Sequence, residues 1–442
     1  MSNLVHRNLN IAPPIAISGQ GIWLREASGH EVMDGSGGAA VACLGHGHPH
    51  VLGAMRAQLE KLTYAHTALF SCESAERLAD MLVGHAPGGL THAYFVSSGS
   101  EGMEAALKLS RQYFVEKGEP QRRHYIARRQ SYHGNTLGAL AAGGNAMRRA
   151  PYAPILSDAF SHVSPCYAYR ERADDESDAD YVQRLAGELE AEFQRLGPQN
   201  VIAFCAETVV GATLGCVAAL PGYFEKMRAV CDRHGALLIL DEVMSGMGRC
   251  GTMHSWEQEG ITPDIQVIAK GLGGGYQPIG GILVQGHVIA AIRDGSGGFM
   301  HGHTYQAHPM ACAAALAVQE VIAEEDLLGN VQGMGALLER GLTGRLGNHR
   351  HIGDIRGRGL FWAIELVQER GSKAIFAPSL KMNERVKHEA YARGLGCYPM
   401  GGTIDGLRGD HVILAPPYNV TAAEVEMIVD RFGAAVEAAL AG

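Results

Sequence analysis

From about residue 90 the chain repeats one unit: a short apolar run, a glycine-containing turn, then a helix-like segment. Ala93 to Val96 reads as a strand and Ser97 to Ser100 as a turn. Glu101 to Phe114 reads as a helix whose Met103, Ala106, Leu107, Ser110 and Phe114 share one face. Further strand-like runs are His124 to Ala127, Val201 to Cys205, Ala236 to Leu240, Gln266 to Ala269 and Gly281 to Val284. A helix over Tyr223 to His234, closed by Gly235, separates two of them. Short apolar strands alternating with helices predict a mostly parallel α/β sheet covered on both faces. The 58 glycines follow no fixed period, which argues against a solenoid or propeller.

A chain of 442 residues suits two domains. The repeating region fits a large domain over 61–325. After about residue 325 the pattern changes to a helix (Val331 to Leu346), a short strand (Gly359 to Leu366) and two more helices (Met382 to Arg393, Ala422 to Leu440). Together, 1–60 and 326–442 are expected to form a smaller domain. The acidic stretch from Arg170 to Asp180 is expected to be a solvated loop. A net charge of −9 and a pI near 6.2 argue against nucleic acid, which calls for clustered Lys and Arg. The densest basic cluster, Arg122, Arg123, Arg128 and Arg129, reads as a solvated face. Nine scattered cysteines without a C-x-x-C fit a reducing compartment. The first residues carry no apolar signal core, and no apolar run approaches 18 residues. A soluble cytoplasmic protein with no membrane contact is expected.

Two strand ends carry chemistry. The run from Asp264 to Ala269 leads into Lys270 and then Gly271, Gly273, Gly274 and Gly275. Twenty-nine residues before Lys270, the run ending at Leu240 gives Asp241. An amine and a carboxylate, each at the carboxyl end of its own strand, meet the needs of pyridoxal phosphate. Lys270 can form the Schiff base, and Asp241 can hold a proton on the pyridine nitrogen. For the phosphate, Ser98, Gly99 and Ser100 lie between a strand and a helix, where free amides and the helix dipole favour an anion. For the ring, Tyr132 can stack on one face and Val243 pack on the other. Taken singly, these are also an ordinary βα turn, a core tyrosine and a strand-end acid; the combination gives them meaning. Two histidine groups, His46, His48 and His50 and then His301, His303 and His308, lack acidic or cysteine partners at metal-ligand spacing and read as structural.

Five segments in order resemble the class III aminotransferases, pyridoxal-phosphate enzymes of fold type I, over nearly the whole chain. They are Ser97 to Glu101, Ser131 to Gly134, Asp241 to Arg249, Ala269 to Gly273 and His303 to Pro309. The resemblance implies a large domain with a mostly parallel seven-stranded sheet and a smaller α+β domain built from both termini. It implies a homodimer or a dimer of dimers in which Thr304 reaches the phosphate of the neighbouring subunit's cofactor. It counts Tyr132 and His133 among the cofactor-binding residues and matches Glu207 to a glutamate near the cofactor's 3-hydroxyl. Thr208 follows Glu207 where the family usually has proline.

The departures point to a subgroup. Ornithine- and γ-aminobutyrate-type members carry a second glutamate where this chain has Ala212. The γ-aminobutyrate type tends to have arginine where this chain has Asn135. No arginine stands in the run from Val412 to Pro417, but Arg408 lies near the mobile, carboxylate-binding arginine of the amine–pyruvate type (ω-transaminases). The resemblance therefore implies transfer from a primary amine or ω-amino compound to a 2-oxo acid, with pyruvate the expected acceptor, in two half-reactions, with Lys270 shuttling the proton. A transaminase using 2-oxoglutarate, an aminomutase and a decarboxylating transaminase would use the same residues. A nucleotide-binding oxidoreductase is disfavoured because the turn at 97–100 is not G-x-G-x-x-G.

Overall fold

A computed structural model describes residues 3–84 and 86–441. Its centre is a seven-stranded sheet in the order Leu90–Val96, Gly280–Gln285, Ile265–Ile268, Leu237–Asp241, Val201–Glu207, His124–Arg128, Phe160–Val163. Five neighbouring strands run parallel, and Gly280–Gln285 is antiparallel to both of its neighbours. The connection over 269–279 is a glycine-rich turn too short for a crossover helix, so the chain returns antiparallel. The central strands are buried along their whole length, as apolar runs covered on both faces must be. The helix Gly99–Glu116 lays Met103, Ala106, Leu107, Ser110 and Phe114 inward, the face expected from their spacing.

A second core joins the two ends of the chain. Ile22, Met33, Leu44 and Val51 pack with Leu338, Leu342, Ile364, Val412 and Val436. Strands Ala16–Gln20, Trp23–Glu26 and Glu31–Asp34 form a sheet completed by Leu395–Gly396. Another sheet orders Ile352–Arg358, Phe361–Leu366, Asp410–Leu414 and Tyr398–Gly401 antiparallel. The helix Pro309–Glu324 bridges the cores: Ala311, Cys312 and Ala315 face the central sheet's core, while Val318, Val321 and Ile322 belong to the second. Among the described residues, no helix is long and apolar enough to cross a membrane.

Three local readings change. Of the basic cluster read as a solvated face, Arg122 and Arg128 are buried. The acidic stretch does not stay a loop to its end: Asp178 and Asp180 form the first turn of the helix Asp178–Leu196, where the dipole favours them, and Ser177 Oγ caps it by accepting from the Asp180 amide at 3.2 Å. Gly359 and Leu360 belong to a hairpin turn, so the strand expected from Gly359 begins at Phe361. Its partner, Ile352–Arg358, has no apolar alternation because Asp354, Arg356 and Glu365 form a largely buried ion cluster there.

Candidate active site

The parallel register sets the acids side by side. Asp241 pairs with Glu207 across one neighbouring strand and with Val267 across the other, and Lys270 follows two residues after Ile268. All three therefore emerge at the carboxyl edge of the sheet, the edge at which α/β folds bind ligands. They line a cavity of about 390 Å³ together with Ser98, Gly99, Ser100, Tyr132, His133 and Val243.

Each carboxylate is fixed by donors. Asp241 Oδ2 meets His133 Nδ1 at 2.8 Å, and Oδ1 accepts from the Val243 amide at 3.0 Å. Glu207 Oε1 accepts from the Tyr132 amide and Oε2 from the Gly211 amide, both at 3.0 Å, while burial pushes its carboxyl upward. Next to Asp241, the buried Glu242 accepts from Thr208 Oγ1 (2.7 Å), the Ser255 and Trp256 amides (2.8 and 2.7 Å) and Gln266 Nε2 (3.0 Å). Burial pushes this carboxyl up to about 7 against those donors. Thr208, the departure from the family's proline, thus ties the ends of two strands together.

Lys270 has φ +47°, left-handed backbone that costs a non-glycine residue on the order of 1 kcal/mol. Its surroundings are dense enough that desolvation lowers the amine to about 8, although Asp241 and Glu207 pull the other way and Arg249 adds to the lowering. An amine near 8 is partly neutral at physiological pH, the form needed for a nucleophile or base.

The remaining lining fits a phosphorylated pyridine. Ser98 Oγ caps the helix Gly99–Glu116 by accepting from the Glu101 amide at 3.2 Å. The first-turn amides of Gly99 and Ser100 have no carbonyl behind them and lie at the cavity wall, as an anion requires. A Cβ on Gly99 would come within 3.0 Å of Val243 Cγ2, so glycine lets the helix start close against that valine. Gly134 has φ +134°, and a Cβ there would sit 2.6 Å from Ser100 Oγ. This contact lets Ser100 Oγ accept from the Asn135 amide at 3.1 Å.

His133 is buried against Asp241 and acts on the acid. Thr304 and Arg408 lie outside the cavity lining. Thr304 is exposed, with its carbonyl accepting from Tyr64 Oη at 2.9 Å. Arg408 is 59% exposed and donates to Asp405 Oδ2 at 2.6 Å. Sequence reasoning did not single out Val41, Met244, Gln277, Pro278 or Ile279, which add to the wall. The histidines of the first group meet single acids: His46 with Asp34, His48 with Glu325 and His50 with Glu320.

The family model described as aminotransferase class-III matches residues 6–436. An uncharacterized aminotransferase of Schizosaccharomyces pombe is 48% identical over 439 residues, covering 99% of this chain and 95% of that protein. An (S)-enantioselective omega-transaminase from Thermomicrobium roseum superposes with a TM-score of 0.92 at 34% identity, over 98% of this chain and 94% of that one. The omega-transaminase from Pseudomonas jessenii in complex with PMP gives 0.93 at 32% identity, over 98% and 94%.

Proposed function

We propose that this chain, which belongs to the class-III aminotransferases, moves an amino group from a primary amine or ω-amino compound to a 2-oxo acid, with pyruvate as the acceptor. Pyridoxal phosphate is the cofactor, and when bound it supplies an electron sink for the pair left as the substrate carbon loses its proton. The observation that carries the reading is the Lys270 amine, lowered to about 8 and set at the same sheet edge as Asp241 and Glu207.

In this reading Lys270 Nζ takes the proton from the amine-bearing carbon and returns it one position along the conjugated system. Asp241, held by His133 and the Val243 amide, keeps a proton on the ring nitrogen and so favours charge flow toward it. Ser98, Gly99 and Ser100 would hold the phosphate, Tyr132 and Val243 would cover the ring faces, and Glu207 would serve the 3-hydroxyl. Thr304 completes the phosphate site of a neighbouring subunit in a homodimer or dimer of dimers. Arg408 can reach the carboxylate of the oxo acid as a mobile contact once it leaves Asp405. A cytoplasmic setting agrees with nine free cysteines, most of them buried.

The test is a panel of amines against pyruvate and 2-oxoglutarate with the cofactor-loaded protein. One oxo acid should be consumed per amine converted. Amine conversion without oxo-acid consumption, or with release of carbon dioxide, would replace transamination by mutase or decarboxylating chemistry.

A further inference from the structure

Beside the site lies an arginine whose charge meets an aromatic ring and, among the described residues, no carboxylate. Arg148 sits over the ring of Tyr132, its guanidinium carbon 4.6 Å from the ring centre. Tyr132 itself lines the cavity. Among the described residues no carboxylate pairs with Arg148, and its Nε is buried without a hydrogen-bond acceptor. Two of the arginines around it are already engaged. Arg149 donates to the Gly143 carbonyl at 2.6 Å and meets His162 Nε2 at 2.9 Å, and Arg408 is bound to Asp405.

The segment is built to hold Arg148 still. Asn145 is buried, and its Oδ1 accepts from the Arg148 amide at 3.1 Å, capping the short turn Ala146–Arg149. The Arg149 contacts pin the other side of that turn. The loop carrying Arg408 packs against it: a Cβ on Gly406 would lie 3.1 Å from the Ala146 nitrogen. A guanidinium stacked on an aromatic ring uses its face and leaves its in-plane N–H groups free. A buried N–H without an acceptor is costly, and a planar carboxylate satisfies two such donors at once.

We infer that Arg148 is the fixed carboxylate anchor of the active site, selecting substrates that carry an anionic group, whether an oxo acid or an ω-amino acid donor. The inference rests on the transaminase reading of the site. Tyr132 then has two tasks, one face toward the cofactor and one beneath the anchor. The positive field at the Tyr132 hydroxyl comes from Arg148 and, more weakly, Arg7.

The experiment compares wild type, Arg148→Met and Arg148→Lys as cofactor-loaded enzymes. The substrates are pyruvate, 4-aminobutyrate and the neutral amine benzylamine. Arg148→Met should lose roughly tenfold or more in kcat/KM for both carboxylate substrates, mostly through KM. Benzylamine should stay within about threefold, cofactor affinity should be unchanged, and Arg148→Lys should recover part of the loss. Equal losses for all three substrates with weaker cofactor binding would mean that Arg148 only supports Tyr132, and would overturn the inference. So would no loss at all. Loss with pyruvate alone assigns the anchor to the oxo acid; loss with 4-aminobutyrate alone assigns it to the donor. Calorimetric binding of succinate to the same proteins reads the anchor without turnover. Weakened binding in Arg148→Met alongside an inactive wild type would keep the anchor and reject the transaminase reading.

Discussion

The floor and the rim of the active-site cavity are built on opposite principles. On the floor, Glu207 and Asp241 stand at the ends of buried parallel strands, and both oxygens of each meet donors from the protein. Around the cavity, outside its lining, Arg148, Thr304 and Arg408 form a rim on loops and one short turn, half-buried or exposed, with partners that are weak or replaceable. A sheet edge gives a rigid frame for moving protons, whereas loops can change with the substrate without disturbing that frame. Substitutions on the floor should therefore damage every substrate alike, and substitutions at the rim should separate one substrate from another.

The sharpest test of the floor is Lys270→Ala. Loss of the proton-moving amine alone should slow both half-reactions by roughly 10²–10⁴-fold, with the fold kept, as judged by an unchanged circular dichroism spectrum. Turnover near wild type would remove Lys270 from the chemistry. Asp241→Asn should follow, at on the order of 10²-fold in the first half-reaction, because an amide cannot stabilise a charged ring nitrogen in a shielded site. Cofactor affinity should change less than the rate. A larger effect on affinity than on rate would make Asp241 a holding group only.

The same contrast explains what could be read in the sequence. Apolar runs, a glycine turn and an acid or amine just past a strand end are local signals, so the central strands, Asp241 and Lys270 were legible. Their meeting follows from the parallel register that pairs Asp241 with Glu207. The strand Ile352–Arg358 was not legible, because its face is filled by ions paired across the fold, among them Arg356 with Glu365. Nor was Arg148, whose meaning lies in a ring 16 positions earlier and in the lack of any acid nearby. No periodic pattern carries that information.

A smaller effect on the floor is electrostatic. Glu207 raises the Lys270 amine while desolvation lowers it to about 8. The neutral amine grows as pH rises through that value, so the rate at which the cofactor-free protein captures pyridoxal phosphate on Lys270 should show a rising limb toward a plateau above it. Removing the negative charge in Glu207→Gln should lower the Lys270 pKa further and move the limb to lower pH. A limb that stays in place, followed by stopped-flow absorbance across pH, would mean that Glu207 is neutral in the working enzyme, the direction in which its burial pushes it.

The smallest effect is expected at Arg408. Its guanidinium is 59% exposed and already paired with Asp405 at 2.6 Å, in a loop that also gives Asp405 the Leu407 and Arg408 amides. To bind an oxo acid it must give up that pair, so one charge-assisted contact replaces another and the net gain is small; exposed pairs are worth only about 0–1 kcal/mol in any case. Arg408→Ala should therefore lower kcat/KM for pyruvate by no more than about threefold, less than Arg148→Met, and leave benzylamine unchanged. Asp405→Asn frees the arginine and gives the opposite test: if Arg408 swings inward, releasing it should raise pyruvate kcat/KM. A tenfold loss in Arg408→Ala confined to pyruvate, with a gain in Asp405→Asn, would move the main carboxylate contact from the fixed arginine to the mobile one. The rim would then recognise its acid by motion and not by a prepared site.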